Sequence, residues 1–258
     1  MARLIGIVAA RGGSAEIERK NLRMLGLFPL LAWTLEPACA ACDLVIVTSD
    51  DEDILKVAEP YRVRLHEEPP MLASGRIGDL PVVLDALREV ALEQDDVITL
   101  LRPTAPFRRA EEIKEVGALV TALHVDSVRS VVPAESHPNK TYVQTGWTRL
   151  PGYPPIPEVI HRLPPTWRDI AYPYLTPATD RHRANHPRQW LQHAWKACGF
   201  IDCVRADVVI GMNSMEGDLI VGWEAPADRA VDIDSEQDFA RAATWAAAKG
   251  WEPGRIIQ

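Results

Sequence analysis

Short β-rich apolar runs recur along the chain at Leu4 to Ala9, Leu44 to Thr48, Val97 to Leu101 and Ser127 to Val132, and each reads as a buried strand. Between them the apolar residues return at helical spacing. Pro29-Leu30-Leu31-Ala32-Trp33-Thr34-Leu35 places Pro in a first helical turn with an apolar stripe behind it, and Ser49-Asp50-Asp51 supplies the cap of a helix through Val57 and Ala58. Two longer helices follow, Asp79 to Leu92 and Ala110 to Leu123. Strands alternating with helices at this spacing predict an α/β fold, a mostly parallel sheet with helices on both faces. Ligands of such sheets bind at the carboxyl ends of the strands, so the polar residues just past each strand carry the information: Arg11 to Lys20, Ser49-Asp50 and Arg102-Pro103-Thr104.

The pattern breaks in the second half. Nine of the 21 prolines lie between Pro151 and Pro187, among Tyr, Trp, His and Arg, with no sustained period. A connection that long is unusual as slack loop, and its aromatic residues need a surface to cover, so 135–192 is expected to be an inserted arm, a lid or a subunit contact. Order returns at Ala197-Cys198-Gly199-Phe200-Ile201, a strand, and at the extended Val231-Asp232-Ile233-Asp234. Ser235 then caps a final helix that carries Phe239, Ala242, Ala243 and Ala246 along one side. A length of 258 residues suits one α/β domain with an insertion.

Composition narrows the function classes. Hydrophobic residues make up 47% and charged residues 25% of the chain, with a net charge of −8, which argues against general binding to nucleic acid or anionic membrane. No apolar run approaches the roughly twenty residues that span a bilayer. The four cysteines, in a chain without a charged-then-apolar leader, are expected as reduced thiols in a cytoplasm. Cys39-x-x-Cys42 reads as small buried thiols rather than half a zinc site. His182-x-x-x-His186 has metal spacing, but Pro187 and the lack of an acidic neighbour favour a solvated role.

Two motifs carry candidate chemistry. The first strand ends in Arg11-Gly12-Gly13-Ser14, followed by Arg19, Lys20, Asn21 and Arg23. Adjacent glycines let backbone N–H groups approach an anion, and the cations neutralise it, although Arg-Gly-Gly alone is more often a plain turn. Asp232-x-Asp234 in an extended segment puts two carboxylates on one side, able to hold a hard divalent ion, although Asp-x-Asp before a helix is as readily a cap and turn. A basic glycine loop with a distal carboxylate pair provides for both phosphate and metal.

The motifs in their order resemble the CMP-sialic acid synthetases, the acylneuraminate cytidylyltransferases. The resemblance rests on Ala10-Arg11-Gly12-Gly13-Ser14 with Lys20-Asn21-Leu22, on Pro29 to Thr34, on Thr48-Ser49-Asp50-Asp51 and on Pro69 to Ser74. It continues through Arg102-Pro103-Thr104-Ala105-Pro106-Phe107-Arg108, Ser127 to Val131, His137-Pro138, Arg188-Gln189 and Asp232-Ile233-Asp234-Ser235-Glu236-Gln237-Asp238-Phe239. It implies a Rossmann-like fold of the nucleotide-diphospho-sugar transferase kind in one domain, 1–258, with the Pro-rich arm making a cytoplasmic homodimer. The implied reaction moves CMP from CTP to the anomeric hydroxyl of an acidic sugar, a sialic or related nonulosonic acid, with Mg²⁺ and release of pyrophosphate. By resemblance Arg11 and Lys20 act on the phosphates, with Gly12, Gly13, Ser14 and Asn21 completing the nucleotide loop and Ala73 and Ser74 near the cytosine. Arg102, Thr104, Lys140, Arg188 and Gln189 face the sugar, and Asp232 and Asp234 hold the metal.

The chain also departs from that pattern. Ala15, Glu16 and Glu18 stand where the family has Lys, Gly and Pro; Arg102 replaces Gln, Gly75 replaces Asp, and Cys198 replaces Asn. Losing a cation beside a triphosphate costs a few kcal/mol of transition-state stabilisation. Arg19 or Arg23 is a candidate to compensate. The alternatives are another anionic acceptor, such as a phosphonate or a 3-deoxy sugar acid, or a degenerate nucleotide-binding protein. A glycosyltransferase would carry its Asp-x-Asp near mid-chain and would not need the glycine loop. No general base is legible.

Overall fold

The computed structural model describes residues 2–13, 16–74, 77–138, 142–147, 173–177, 187, 189, 191 and 193–253. Ser14, Ala15, Gly75, Lys140, His182, His186 and Arg188 lie outside the described residues. The chain forms two compact units, Met1–Val132 with Ala197–Gln258, and Pro133–Lys196. In the second unit β8 (Tyr142–Trp147) and β9 (Pro173–Pro177) form an antiparallel ribbon with a register shift between Gln144 and Gly146.

The first unit is built on a seven-stranded sheet. Its strands are β1 (Leu4–Ala9), β4 (Leu44–Ser49), β5 (Arg64–Glu67), β6 (Val97–Leu100), β7 (Ser127–Pro133), β10 (Trp195–Arg205) and β11 (Ile220–Glu224). They lie in the order β11-β7-β10-β6-β1-β4-β5. Pairing is parallel for β6-β1-β4-β5 and for β11-β7, while β10 runs antiparallel to β6. A small hairpin of β2 (Met24–Leu25) and β3 (Phe28–Pro29) follows the glycine loop.

Helices cover both faces, as the alternation of strands and helices requires. Val8, Val45 and Val47 pack with Leu31 and Leu35 of α1 (Leu30–Ala41), Ile54 of α2 (Glu52–Ala58) and Ile113, Val116 and Val120 of α4 (Ala110–Ala122). On the other face Ile5, Ile7, Ile46 and Leu100 pack with Val83 and Ala86 of α3 (Asp79–Ala86) and Val208 and Val209 of α5 (Ala206–Gly211). A third cluster joins Leu25, Leu30, Trp33 and Phe107 to Ile233 and to Phe239, Ala242 and Ala246 of α6 (Glu236–Lys249). Asp51 caps α2 through the Asp53 amide, and Ser235 caps α6 in a reciprocal box with Asp238.

Some boundaries differ from the pattern. The helix expected to reach Leu92 ends at Ala86, because Arg88 to Glu89 turns the chain toward β6 with i to i−3 bonds such as Arg88 N–H to Asp85 O. Edge strands β5 and β11 carry too few buried apolar residues to stand out in the hydrophobic pattern. Val231 to Asp234, expected to be extended, belongs to no strand or helix. The four cysteines are free thiols; burial pushes Cys203 up to about 12 and raises Cys42 as well. Among the described residues no helix is long and apolar enough to cross a membrane.

Candidate functional site

A cleft of about 380 Å³ opens in the first unit where β1, β5 and β6 end, at the carboxyl edge of the parallel strands. Arg11, Lys20 and Asn21 from the glycine loop line it, as do Ser74, Arg102 and Thr104, and Asp232 and Asp234 from the far end of the chain. Eight residues singled out from the sequence thus share one cavity. Ala73 sits between lining residues Leu72 and Ser74, whereas Gln189 belongs to the second unit.

The loop geometry explains the glycines. The Gly12 N–H donates to Asp50 Oδ1 at 2.7 Å, and a Cβ on Gly12 would lie 2.7 Å from the Asp51 Cβ. Gly12 is therefore a contact position, letting the loop lie flush on the turn after β4, while a Cβ on Gly13 would meet nothing within 4 Å. Asn21, buried, donates to the Arg11 carbonyl at 2.9 Å and ties the two sides of the loop together. Arg19 and Arg23 do not stand in for the family lysine. Arg19 pairs with Asp53 at 2.7 Å and Asp51 at 3.3 Å, Arg23 pairs with Glu236 at 2.5 Å, and neither lines the cleft.

Two hydrogen bonds and one buried side chain place the acidic segment. The Ile233 N–H donates to the Thr104 carbonyl, the Lys20 ammonium donates to the Ile233 carbonyl, each at 2.8 Å, and the Ile233 side chain is fully buried. With Ile233 turned inward, Asp232 and Asp234 are left exposed on the cleft side, and Lys20 also meets Asp234 at 3.1 Å. Among the described residues no cluster of three or more His, Cys, Asp or Glu side chains is placed to hold a metal. A divalent ion here would rest on this carboxylate pair, with water or ligand oxygens completing its shell. That hard-oxygen donor set suits Mg²⁺.

Arg102 reaches the cleft from a buried hub. Its guanidinium donates to Asp202 at 3.1 Å and to Asp79, and Asp202 also accepts from the Ser130 N–H and pairs with Arg129. Asp202 comes from β10, whose antiparallel register sets it opposite Leu100. Arg108 is buried and does not line the cleft, donating instead to Thr34 Oγ and to the carbonyls of Gly199 and Phe200. Burial, with repulsion from Arg102, lowers it to about 9.

The cleft also contains residues that the motifs did not mark, Glu68, Asp79, Ile77, Val82 and Leu100, the last three forming an apolar wall with Leu72. Glu68 follows the polar edge strand β5, so no run of apolar residues pointed to it. Burial raises the Glu68 carboxyl above the usual carboxylate range.

A family model described as cytidylyltransferase matches residues 5–139, just over half of the 258 residues. The chain belongs to the cytidylyltransferase family. N-acylneuraminate cytidylyltransferase A of Danio rerio is 33% identical over 130 residues, covering 49% of this chain and 29% of that protein. The N-acylneuraminate cytidylyltransferase of Escherichia coli O18:K1:H7 is 35% identical over 124 residues, 47% of this chain and 29% of its own length. CMP-N,N'-diacetyllegionaminic acid synthase of Legionella pneumophila is 32% identical over 140 residues, 50% of this chain and 59% of its own length. The matched stretch thus spans less than two thirds of each of these relatives, and their names bear out the resemblance to CMP-sialic acid synthetases. Among solved structures, CMP:2-keto-3-deoxy-manno-octonic acid synthetase complexed with CTP matches with a TM-score of 0.65 at 13% identity, over 96% of this chain and all of its own. The 4-diphosphocytidyl-2C-methyl-D-erythritol synthase of Anaerococcus prevotii gives 0.58 at 14% over 95% of this chain and 96% of its own. At such identity these two carry the fold alone. The cytidylyltransferase model stops before Asp232, so it is the tertiary structure that brings the acidic pair to the glycine loop.

Proposed function

We propose that this protein transfers CMP from CTP to the anomeric hydroxyl of an acidic sugar of the sialic or nonulosonic class, releasing pyrophosphate with the help of Mg²⁺. The observation that carries the reading is the single cleft in which Arg11, Lys20 and Asn21 meet Asp232 and Asp234, more than two hundred residues away in sequence. The acceptor oxygen bonds to the α-phosphorus as the bond to the bridging oxygen of pyrophosphate breaks. Arg11 and Lys20 line this cleft and would bind the phosphates and neutralise the departing charge. Asp232 and Asp234 would hold Mg²⁺, which supplies further charge neutralisation to phosphate oxygens. Lys20 and Asp234 hold each other in place before any ligand arrives, which limits reorganisation on binding. Leu72, Ile77, Val82 and Leu100 offer a nucleobase an apolar surface beside Ser74, and Arg102 and Thr104 offer polar contacts to the acceptor. A phosphonate or a 3-deoxy sugar acid is the second acceptor class; it would meet Arg102 at the cleft wall in competition with Asp79 and Asp202, which already hold that guanidinium.

The test is pyrophosphate release with Mg²⁺, each of the four nucleoside triphosphates, and a panel of nonulosonic acids, 3-deoxy sugar acids and phosphonates. CTP with one acidic acceptor is expected to give turnover, and Asp232→Asn to lower it by about a hundredfold or more with little change in thermal midpoint. Measurable CTP binding with no pyrophosphate from any pair refutes the transferase reading.

A further inference from the structure

Attack by a hydroxyl on phosphorus releases one proton, and some group in the cleft must take it. The described cleft residues include four carboxylates. Asp232 and Asp234 form the metal pair, and Asp79 is bonded to Arg102. Glu68 is the fourth, 4% exposed, and among the described residues its side chain has one hydrogen-bond partner, the Thr48 hydroxyl, 3.3 Å from Oε2.

Thr48 leads further. It is fully buried on β4, and the parallel register with β5 sets it directly beside His66. Its Oγ lies 2.9 Å from His66 Nδ1, and His66 Nε2 lies 3.4 Å from Asp85 Oδ2, itself paired with Arg88. Glu68 is two residues past His66, so the period of an extended chain returns it to the same side.

Hydrogen-bond counting ties Glu68 to this line. A hydroxyl has one proton to donate, so when Thr48 donates to an ionised Glu68 its oxygen is left to accept from the His66 ring. The carboxylate is held from behind by a hydroxyl that is itself held.

We propose that Glu68 is the catalytic base, taking the proton of the acceptor hydroxyl, and that Thr48 and His66 are positioning residues that hold its carboxylate. This rests on the transferase reading. As the oxygen–phosphorus bond forms, the acceptor O–H bond breaks and its proton passes to the Glu68 carboxylate. The proton leaves Glu68 to water once product leaves the cleft, while Thr48 keeps its own proton and holds the carboxylate in place. The charged groups facing this line are Arg11 and Asp50 from the loops after β1 and β4, and Asp85 and Arg88 on and beyond α3. Burial disfavours ionised Glu68, with Asp50 and Asp85 acting the same way, while the Thr48 bond and Arg11 oppose them. A base of this kind works closer to neutrality than an exposed carboxylate.

Two measurements test this on the whole chain. In pH–rate profiles, Glu68→Gln should lower kcat about a hundredfold or more, remove the acid limb, and leave CTP affinity within about threefold. Glu68→Asp should restore part of the rate, and His66→Asn should move the acid limb at a smaller cost. The second readout needs no turnover: CTP affinity, measured by titration calorimetry, separates loss of a base from loss of the site. CTP binding by the wild type with no pyrophosphate from any substrate pair would count against the transferase reading itself. Turnover within about threefold of wild type in Glu68→Gln, or a CTP affinity that falls as far as kcat does, overturns the proposal.

Discussion

Ile233 anchors the segment that carries Asp232 and Asp234, the carboxylates proposed to hold Mg²⁺, and shortening it tests how that placement is held. Its side chain is 0% exposed among Ile17, Leu25, Leu30, Trp33, Phe107 and Phe239, and its backbone makes two 2.8 Å bonds, one to Thr104 and one from Lys20. Ile233→Val removes one methylene and should cost about 1 kcal/mol. Ile233→Ala leaves a cavity and should cost about 3 kcal/mol. At roughly 2–4 °C per kcal/mol for a domain of about 200 residues, the midpoints should fall by about 2–4 °C and 6–12 °C respectively. The functional consequence is graded differently. The two backbone bonds survive in the Val variant, so its half-saturating Mg²⁺ concentration should stay within about twofold of wild type. In the Ala variant the segment can rock about those bonds, and a small displacement of reacting groups is costly. Half-saturating Mg²⁺ should rise about tenfold or more, equivalent to about 1.4 kcal/mol, with high Mg²⁺ recovering part of the rate. Circular-dichroism melts and pyrophosphate release across a Mg²⁺ titration measure both. An Ala variant with an unchanged Mg²⁺ requirement would show that packing of Ile233 does not position the carboxylates.

Two further outcomes follow from the same geometry. Gly12→Ala should lose about 1–3 kcal/mol of stability and weaken CTP binding, because its Cβ would meet Asp51 at 2.7 Å, whereas Gly13→Ala, with open space around it, should stay within about 0.5 kcal/mol; equal effects in melts and CTP titrations would contradict the contact role. Asp96 is buried, which alone would raise its pKa, but the Arg3 guanidinium and the Arg3 and Glu93 amides outweigh burial and hold it at about 2. A depressed carboxylate stabilises above its unfolded pKa and loses that contribution as pH falls through the folded value. Asp96→Asn should therefore cost on the order of 1–2 kcal/mol at neutral pH, allowing for solvent screening at the 38% exposed Arg3 side chain. The gap should close between about pH 4 and pH 2, and a gap independent of pH in thermal melts would rule out the linkage.

The α/β class, the central buried strands and the capped helices were legible in the sequence, because apolar period and capping chemistry are local. Leu44 to Thr48 has to be buried on both faces, and Ser235 with Asp238 has to start a helix, whatever lies nearby. Edge strands β5 and β11 were not legible, since a strand with one neighbour and little burial lacks that signature. The same locality let Arg11, Lys20 and Asp232-x-Asp234 be named from spacing, and the order of these motifs along the chain pointed to the family.

What needed three dimensions was which groups are free to act. Arg19 and Arg23 sit in the same basic stretch as Lys20, yet Asp51, Asp53 and Glu236, distant in sequence, engage them away from the cleft. Arg108 closes the same motif as Arg102, yet it is buried against the Gly199 and Phe200 carbonyls. Glu68 reads as one more acid in a charged turn, and only the β4–β5 register puts it on Thr48 and His66 at the cleft wall. Charge and hydrogen-bond satisfaction depend on partners far along the chain. Sequence therefore determines the elements and the candidate chemistry, and tertiary packing decides which candidates are engaged and which face a ligand.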